Sequence, residues 1–409
     1  MTLSSDSRLA HTRTFLRYGY VPEPRWDVLQ LFADDEFLAL KHEFASRSRQ
    51  DLIAEANRAA DEAFEEAFTG ISGDVVIPVS GGRDSRFILC MADAFGLRDR
   101  VLAITWGVPG GLDYEISSKV SSRIGVRHER IDTTRTPIGF SDLKQAFDNG
   151  AHWTDLQLAH FNQAWRTVAP AATAIIGYLG GPPVGCHYQP GHELRDFPAA
   201  VASFEAINRR WDFGAPAVGG VGHNEFLDPS RVSFPEQLDL VYRQEGYLRR
   251  IVAPPRLAPR TPFAHPRWMR TMYAMPGACR TGGNLFTELL MERFPRAFAI
   301  GASGAYGLRA DAAPLRRLAA RRALRLAHIG VNLFRARKFA TFDKYGDERD
   351  LLAALAPDSM APREYASALS RGIASNSREN AAHARLRAML ICNLACLDDA
   401  GVATEAFAA

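Results

Sequence analysis

Short apolar runs rich in β-branched residues alternate with longer segments that carry apolar residues at helical spacing. Strands are predicted at residues 75–79, 101–105, 126–131 and 173–177, of which the first, the second and the fourth are short apolar runs. The longer segments, each typical of a helix, occupy residues 84–95, 114–124 and 156–168. Strands that alternate with helices of roughly 10–15 residues indicate right-handed βαβ units. The pattern therefore predicts an α/β fold in which a parallel sheet has helices on both faces.

The flanking parts of the chain predict mainly helices around this core. Residues 34–68 are rich in Ala, Glu, Arg and Leu at helical spacing, which predicts one or two helices. Residues 185–259 carry clusters of Pro, Gly and His with weak periodicity, so we expect loops that partly cover a site. Helical spacing returns beyond Pro262 and ends in a segment at 381–397 that we interpret as amphipathic. We divide the chain into an N-terminal linker with helices (1–72), a core (73–184), and a loop-rich insertion with a helical C-terminal part (185–409).

The composition is typical of a soluble globular protein, with 47% hydrophobic and 23% charged residues. No apolar run approaches the roughly 18 residues that span a bilayer. The first 13 residues are polar and lack the apolar core of a secretory signal. The five cysteines are scattered without CxxC spacing, which argues against a disulfide framework and a structural zinc site. We therefore expect a cytoplasmic protein that does not associate with membranes.

Basic residues are concentrated between Arg309 and Lys338, although the net charge of the chain is only +3. Besides these two, the stretch contains Arg316, Arg317, Arg321, Arg322, Arg325, Arg335 and Arg337. The stretch is either the solvated face of one or two helices or a patch that attracts a polyanion or an acidic substrate. A nucleic-acid partner is not expected from so small a net charge.

A strand, a turn of small residues and a helix starting near Asp84 predict an anion-binding loop, here termed the 80–85 loop. Its residues are Ser80, Gly81, Gly82, Arg83, Asp84 and Ser85. The glycines let the backbone approach a phosphate closely, and the first amides of the helix point towards it. The hydroxyls of Ser80 and Ser85 add donors, and the Asp84 carboxylate can bind a magnesium ion that bridges phosphates. The loop lacks the ending of a Walker loop, and the alternative is a glycine-rich turn without a ligand.

We expect a second loop after the second strand, formed by Thr105, Trp106 and Gly107. Ligands of open parallel sheets bind at the carboxyl ends of the strands. We therefore assign these three residues to the nucleotide site.

The 80–85 loop resembles the SGGxDS pyrophosphate loop of the asparagine synthetase-like ATP pyrophosphatases, a family that includes β-lactam synthetases and lasso-peptide cyclases. Residues 15–24 (FLRYGYVPEP) resemble the stretch that joins the glutaminase and synthetase domains of full-length members. Residues 260–263 (RTPF) are similar to the family's Arg-x-Pro-Phe motif, and residues 337–343 (RKFATFD) resemble its late lysine loop. The resemblance runs from about residue 14 to 400. It implies a PP-loop ATP-pyrophosphatase core of the adenine nucleotide α-hydrolase type.

The resemblance also implies an ATP- and magnesium-dependent carbon–nitrogen ligase. A carboxylate of a small molecule or peptide would attack the α phosphate, giving an acyl-adenylate and pyrophosphate. An amine would then displace AMP to form an amide. By its place in the late loop, Lys338 is the candidate cation that stabilises charge in both steps, with Lys344 second. Alternatively, either residue is a surface lysine.

The sequence begins at the stretch that resembles the linker, so we expect no glutaminase domain before it, which would be a departure from the family pattern. Ammonia would then come from a separate protein, or the amine would already be part of the substrate. A separate substrate-carrying protein is a further possible partner.

A second departure concerns the family's Gly-Glu-Gly-x-Asp-Glu segment, which appears here as residues 177–182 (GYLGGP). Tyr178 occupies the place of a substrate-handling glutamate and is a catalytic candidate, while Gly177 is assigned to the nucleotide site. Gly181 occupies the place of a metal-binding aspartate. Asp84 is therefore the one assigned metal ligand, and the acids that would fill the gap are Asp113 and Asp155.

Two other functions are compatible with the sequence. The changes at Tyr178 and Gly181 suit a catalytically degraded, nucleotide-binding relative that acts as a partner protein. The basic stretch that ends at Lys338 suits an ATP pyrophosphatase that modifies RNA. An amide-forming ligase is the function that the sequence favours.

Overall fold

Four parallel strands form the sheet at the centre of the fold. The computed structural model describes residues 5–136, 138–156, 172–210, 223–253, 258–334 and 381–398. The strands are β1 (Val75–Pro78), β2 (Val101–Gly107), β3 (Arg127–Asp132) and β4 (Thr173–Ala174). Their order is β3-β2-β1-β4, and Val75 of β1 pairs with Val101 on one side and Thr173 on the other. The predicted α/β fold with a parallel sheet is confirmed at this level.

Helices precede, connect and follow the strands. The α-helices are α1 (Ser5–Tyr18), α2 (Asp35–Ser46), α3 (Arg49–Phe68), α4 (Asp84–Ala94), α5 (Leu112–Ile124), α6 (Phe140–Ala146), α7 (Phe197–Asn208), α8 (Phe234–Leu238), α9 (Arg249–Val252), α10 (Pro266–Ala274), α11 (Gly277–Arg280), α12 (Asn284–Arg293), α13 (Pro295–Phe298), α14 (Pro314–Asn332) and α15 (Ala381–Asp398). The π-helical segments are Phe147–Ala151 and Asp239–Leu248, and the 3-10 turns are Trp26–Phe32, Arg98–Arg100, His192–Leu194, His223–Glu225, Pro262–Ala264, Thr281–Gly283 and Ser303–Ala305. None of the described helices is both long and apolar enough to cross a bilayer.

One face of the sheet packs against α3, α4 and α5. The alternate strand residues that join the main hydrophobic core on this face are Val75, Ile77, Val101 and Ala103. Phe64 of α3 and Phe87 of α4 lie in the same core with ring centroids 5.2 Å apart. The residues that point to the opposite face form a smaller cluster of Val76, Ile104 and Ala174. The helix predicted at 156–168 lies outside the described residues, apart from Leu156.

β4 is shorter than the predicted strand at 173–177, and its course explains how Pro78 is tolerated in β1. Beyond β4 the chain pairs with Arg260, whose N–H donates to the Ala174 carbonyl at 2.8 Å. The Val79 N–H donates to β2 at 2.8 Å. Because successive amides of a strand point to opposite sides, the nitrogen of Pro78 faces the β4 side, where pairing has already ended. The missing donor therefore breaks no sheet hydrogen bond.

The prediction that residues 185–259 are mainly loop is wrong over much of their length. Asp196 caps α7 by accepting a hydrogen bond from the Ala199 amide at 2.9 Å. Three of the four buried residues of α7, namely Ala200, Phe204 and Asn208, recur at intervals of four, and the fourth is Glu205. α8, the π-helical segment Asp239–Leu248 and α9 then follow one another without a break. A π turn holds more residues than an α turn, so it moves apolar positions out of the 3.6-residue period and conceals the helix.

α15 packs against α1 and α6 in a second hydrophobic cluster. Every residue from Ala388 to Cys396 is buried, so the interpretation of this helix as amphipathic is wrong over that stretch. A helix that is buried all round belongs to a core rather than to a surface. Asn393 is the polar exception, and its side chain accepts from the Trp153 amide (2.6 Å) and donates to the Thr154 carbonyl (3.1 Å).

Candidate active site

The 80–85 loop connects β1 to α4 and is closed by its own serines. The Ser80 amide donates to Ser85 Oγ at 3.1 Å, and the Gly82 amide donates to Ser80 Oγ at 3.2 Å. The two hydroxyl oxygens are 3.4 Å apart. Within the described structure no side chain caps the N-terminus of α4. The first amides of that helix are therefore left to water or to an anion.

Gly81 is held between two distant parts of the chain. Its amide donates to Asp113 Oδ1 at 2.9 Å, and its carbonyl accepts from the Ser303 amide at 2.9 Å. A β-carbon at this position would lie 2.9 Å from Ser303 Cβ and 3.1 Å from Ile116 Cβ. Glycine is required because the backbone has no room for a side chain. Asp113, considered above as a substitute metal ligand, thus accepts a hydrogen bond from the loop.

The Arg83 side chain anchors the 80–85 loop to α12. Its guanidinium donates to the Gly283 carbonyl (3.2 Å), to Cys186 Sγ (2.8 Å) and to the Thr287 hydroxyl. Because the guanidinium is hydrogen-bonded to other protein groups, Arg83 would contribute to a nucleotide site through its backbone amide.

Arg86, which was not predicted as a site residue, holds the backbone of the 80–85 loop by a hydrogen bond. It is fully buried and donates to the carbonyls of Gly81 (3.3 Å), Ile300 (2.8 Å) and Gly301 (2.8 Å). Burial lowers the pKa of Arg86 to about 10, which still leaves it charged at neutral pH. The available signal was a lone charged residue in the otherwise uncharged stretch 85–92.

Asp84, the predicted metal ligand, is the first residue of α4 and lies against the segment that follows β4. A β-carbon on Gly180 would lie 2.5 Å from Asp84 Cγ, and one on Gly177 would lie 3.4 Å from Asp84 Cβ. Only glycine at position 180 leaves space for the carboxylate. Burial raises the pKa of Asp84, and the charges of Arg83 and His187 partly oppose that shift. Its carboxylate accepts no hydrogen bond from any described residue.

The residues predicted to form a second loop, Thr105 to Gly107, are instead the last three residues of β2. They continue the parallel pairing with β3 as far as Asp132, which the short apolar run did not indicate. Thr105 Oγ1 donates to the Val79 carbonyl at 2.7 Å, so this side chain fastens β2 to the start of the 80–85 loop. The Gly107 carbonyl accepts from the Thr133 amide at 3.1 Å.

A cleft of about 340 Å³ opens at the carboxyl ends of β1, β2 and β4. The residues that line it are Pro78, Trp106, Ile176, Gly177, Tyr178, Leu179, Gly180, Gly181, Pro182, His187, Arg243, Gln244, Leu248 and Val252. The predicted site residues Trp106, Gly177 and Tyr178 thus all line this cleft. Asp84 stands directly behind Gly180.

A hydrogen-bonded tyrosine–glutamate pair lies at the edge of this cleft. The buried Tyr178 hydroxyl donates to Glu245 Oε1 at 2.8 Å, and Arg249 donates to Glu245 Oε2 at 2.7 Å. Burial and the adjacent Glu245 carboxylate raise the pKa of Tyr178 well above its usual value. The phenol is therefore protonated at neutral pH, and its proton points at a carboxylate.

Glu245 was also missed from the sequence, because it lies in the stretch predicted as loop. It belongs to the π-helical segment Asp239–Leu248, and π-helical turns occur frequently at functional sites. The partner of Tyr178 is 67 residues away in the chain. No local pattern joins the two.

The other candidate ligands and cations are dispersed or lie outside the described residues. Lys338 and Lys344 fall in the segment that the structure does not describe. Asp155 follows Thr154, whose carbonyl is bound by Asn393 of α15. Across the described ranges, no group of three or more His, Cys, Asp or Glu residues is arranged to hold a metal ion. All five cysteines are free thiols.

The basic stretch forms the exposed helix α14. Arg316, Arg321, Arg322 and Arg325 are exposed, and Arg317 is half-buried, with its guanidinium donating to the Ala310 carbonyl. Arg309 is paired with Asp311 at 2.8 Å. Over Pro314–Asn332 the stretch is thus a solvated helix, while residues 335–338 lie outside the described part.

The sequence matches no protein-family model and no curated protein. The chemistry of the site must therefore be argued from its geometry. The cleft is lined by a tyrosine whose proton is held by a carboxylate, while Asp84 and the first amides of α4 lie behind its Gly177 and Gly180 wall. Such a set can bind an anion and move a proton.

Proposed function

We propose that the protein is an ATP-dependent ligase of the asparagine synthetase-like type, which adenylates a carboxylate and joins it to an amine. The observation that carries the proposal is the Tyr178–Glu245 pair at a cleft beyond the carboxyl ends of the strands, with Asp84 directly behind the Gly180 wall of that cleft. The 80–85 loop suits phosphates, and the neighbouring cleft at Tyr178 suits an amine that must lose a proton. A single enzyme of this class needs both.

The phosphates of ATP would bind at the 80–85 loop. In the present conformation the Gly81 and Gly82 amides donate to Asp113 Oδ1 and to Ser80 Oγ. Phosphate oxygens accept hydrogen bonds of the same kind more strongly because they carry charge. We expect a bound pyrophosphate group to take over the serine-bound amide and the unbonded first amides of α4, where the helix dipole favours an anion.

Asp84 is the residue of the 80–85 loop that fits a magnesium ion. Its carboxylate has no hydrogen-bond partner in the described structure, and Mg²⁺ often takes one or two carboxylates with phosphate oxygens and waters. The ion would neutralise charge that develops on the phosphates. Proximity to a cation would also favour the ionised carboxylate and so oppose the raised pKa of Asp84.

The Tyr178–Glu245 pair supplies the proton transfer of the amide-forming step. The amine nitrogen attacks the acyl carbon, and AMP leaves with the electron pair of the broken carbon–oxygen bond. The nitrogen gives a proton to the Tyr178 oxygen while the phenolic proton passes to Glu245 across the 2.8 Å hydrogen bond. Arg249 holds the second Glu245 oxygen and fixes the carboxylate in place.

The test separates the two chemical steps in Tyr178→Phe. Isotope exchange between pyrophosphate and ATP, with a panel of carboxylates, reports adenylation, and product analysis with amine donors reports amide formation. We expect exchange within a few-fold of wild type and amide formation reduced about a hundredfold. Tyr242→Phe is the matched control. Tyr242 is buried in the π-helical segment that also contains Glu245, and its hydroxyl has no hydrogen-bond partner in the described structure.

Two results would contradict the proposal. Equal amide formation by Tyr178→Phe and wild type would remove the tyrosine from the chemistry. Wild-type protein that binds ATP but supports no exchange across a broad carboxylate panel would favour a nucleotide-binding partner protein over a ligase.

A further inference from the structure

A second cavity of about 260 Å³ adjoins the cleft. Pro182, His187 and Arg243 line both spaces and form the boundary between them. On its far side the second cavity is bounded by α7 and by the start of α8. The two spaces are therefore direct neighbours, separated by one proline, one histidine and one arginine side chain.

The charged groups at the boundary are already paired with one another. Asp239 accepts from His187 Nδ1 (3.0 Å) and from Gln244 Nε2 (3.0 Å), and Arg243 lies 3.5 Å from its other oxygen. Burial acts to raise the pKa of Asp239, but His187, Arg243 and Gln244 together outweigh it, so the pKa is lowered. Asp239 is therefore ionised, and the charge of Arg243 balances it. The boundary between the two spaces thus carries little net charge that could attract a charged ligand.

The interior of the cavity is mainly apolar and aromatic. Its apolar and aromatic walls are Ala200, Phe204, Ile207, Pro235, Tyr188 and Tyr273. Glu236 also lines it, but its carboxylate is bound by Arg280 and by the Ser233 hydroxyl. His192 is 6% exposed, and burial lowers its pKa, so the imidazole is neutral at physiological pH.

We propose that this second cavity is the specificity pocket of the enzyme and binds an uncharged, largely apolar side group of the carboxylate substrate. The inference rests on the proposed function, since it takes the cleft as the place where the carboxylate reacts. An aromatic ring or a branched aliphatic group fits the volume and matches the walls. Burying such a group is favourable by about 1.5–3 kcal/mol, or roughly ten- to a hundredfold in affinity.

A charged side group would be rejected from the same cavity. It would lose its hydration on entry, and every charged side chain that lines the described cavity already has an opposite partner. Burying an unpaired charge is far more costly than burying an apolar group is favourable. We therefore expect the cavity to select substrates by excluding charged side groups as much as by limiting the size of the side group.

Direct binding without ATP tests the pocket independently of catalysis. The probes are N-acetylphenylalanine and N-acetylleucine, compared with N-acetylglutamate and N-acetylarginine, titrated by calorimetry. The first two should bind roughly tenfold or more tightly than the last two. Equal affinity of the charged and apolar probes would overturn the inference.

Ser203→Phe locates the binding in this cavity. Ser203 lines it from α7 and accepts a hydrogen bond from Arg195, so a phenyl ring there should fill the space and reduce N-acetylphenylalanine affinity at least tenfold. Ser203→Ala controls for the lost hydrogen bond, and Ala202→Phe places the same ring on an exposed neighbour. Both controls should bind like wild type. An unchanged affinity in Ser203→Phe would overturn the assignment.

Ile207→Lys gives a second variant that leaves the core intact, since Ile207 is 56% exposed at the cavity wall. It should weaken N-acetylphenylalanine several-fold, and no effect would count against the pocket. The outcomes also separate the two proposals. Apolar binding that is sensitive to Ser203→Phe, without any pyrophosphate–ATP exchange, would uphold the pocket and refute the ligase. Pyrophosphate–ATP exchange that is strongest with N-acetylglutamate would uphold the ligase and refute the apolar pocket.

Discussion

Two adjacent glycines of the 80–85 loop are glycine for different reasons. At Gly81 a β-carbon would meet two other β-carbons, at 2.9 and 3.1 Å, whereas at Gly82 it would meet only the Ser80 hydroxyl at 3.1 Å. A β-carbon cannot move without its backbone, but a hydroxyl can rotate. Gly81→Ala should therefore destabilise the protein by about 1–3 kcal/mol and lower ATP affinity at least tenfold.

Gly82→Ala is the matched control and should change both quantities by much less. Thermal unfolding and calorimetric titration with magnesium-ATP measure the two effects. Equal losses in both variants would mean that the contact with Ser303 does not set the loop conformation.

His128 makes the stability of the sheet sensitive to acid. Because Thr105 Oγ1 gives its hydrogen to Val79, His128 Nε2 at 3.0 Å is the donor to the same oxygen. Burial and the Arg130 charge lower the pKa of His128 from 6.5 to about 4. Between these values the unfolded chain binds a proton that the folded chain does not. The stabilisation is therefore complete above pH 6.5 and is lost as the pH falls towards 4.

We expect the melting temperature to fall less between pH 7 and pH 5 in His128→Gln than in wild type. Glutamine keeps a donor to the threonine but has no titrating group in this range. His42→Gln removes an exposed histidine of α2 and serves as the comparison. An identical pH dependence of the melting temperature in His128→Gln and wild type would contradict the assignment.

Single residues of the site could be predicted where the chemistry is local. The serines, the glycines and Asp84 form one short loop, and Tyr178 follows a strand within a recognisable segment. Arg86 and Glu245 could not be predicted in their roles, because their partners lie up to 215 and 67 residues away. Sequence shows which groups exist, and only the folded chain shows which of them meet.

Among the elements, α15 depends on one polar side chain within an apolar environment. Asn393 bonds the Trp153 amide and the Thr154 carbonyl in the second hydrophobic cluster. Asn393→Leu preserves the volume but leaves both backbone groups buried without partners. We expect a loss of about 2–4 kcal/mol in the free energy of unfolding, measured by urea denaturation.

Leu394→Met is the control at the next position, which is equally buried. A volume-conserving apolar exchange should cost less than about 1.5 kcal/mol. If the two variants unfold at the same urea concentration, the asparagine bonds do not fasten α15 to the rest of the protein.

The helices and strands that the sequence predicted well are mostly those in which apolar residues recur at one regular spacing. The apolar residues of α4 and α5 and alternate residues of β1 and β2 face the main core, whereas β3 is largely polar and was predicted from its place in the alternation of strands and helices. The path from α8 through α9 was missed, since its π turns change the spacing within 19 residues. β2 was predicted too short because Trp106 and Gly107 do not continue the β-branched run.

At the scale of the whole molecule, the α/β class followed from alternating strands and helices, but the cavities did not. The cleft is bounded on one side by strand ends and on the other by residues 243–252. The second cavity lies entirely among residues 182–273. Both spaces result from long-range packing of a segment whose helices were not predicted, so neither their volume nor their polarity could be derived from local patterns.

The tie between Gly81 and Ser303 has a consequence for the order in which the protein is made. The loop carbonyl accepts from the Ser303 amide, and Arg86 beneath it binds carbonyls at 300 and 301. A chain emerging from the ribosome therefore lacks these contacts until a segment more than 200 residues beyond the 80–85 loop has been synthesised. Such long sequence separation slows folding. The 80–85 loop would therefore be completed only after residues 300–303 have joined the sheet that is formed earlier in the chain.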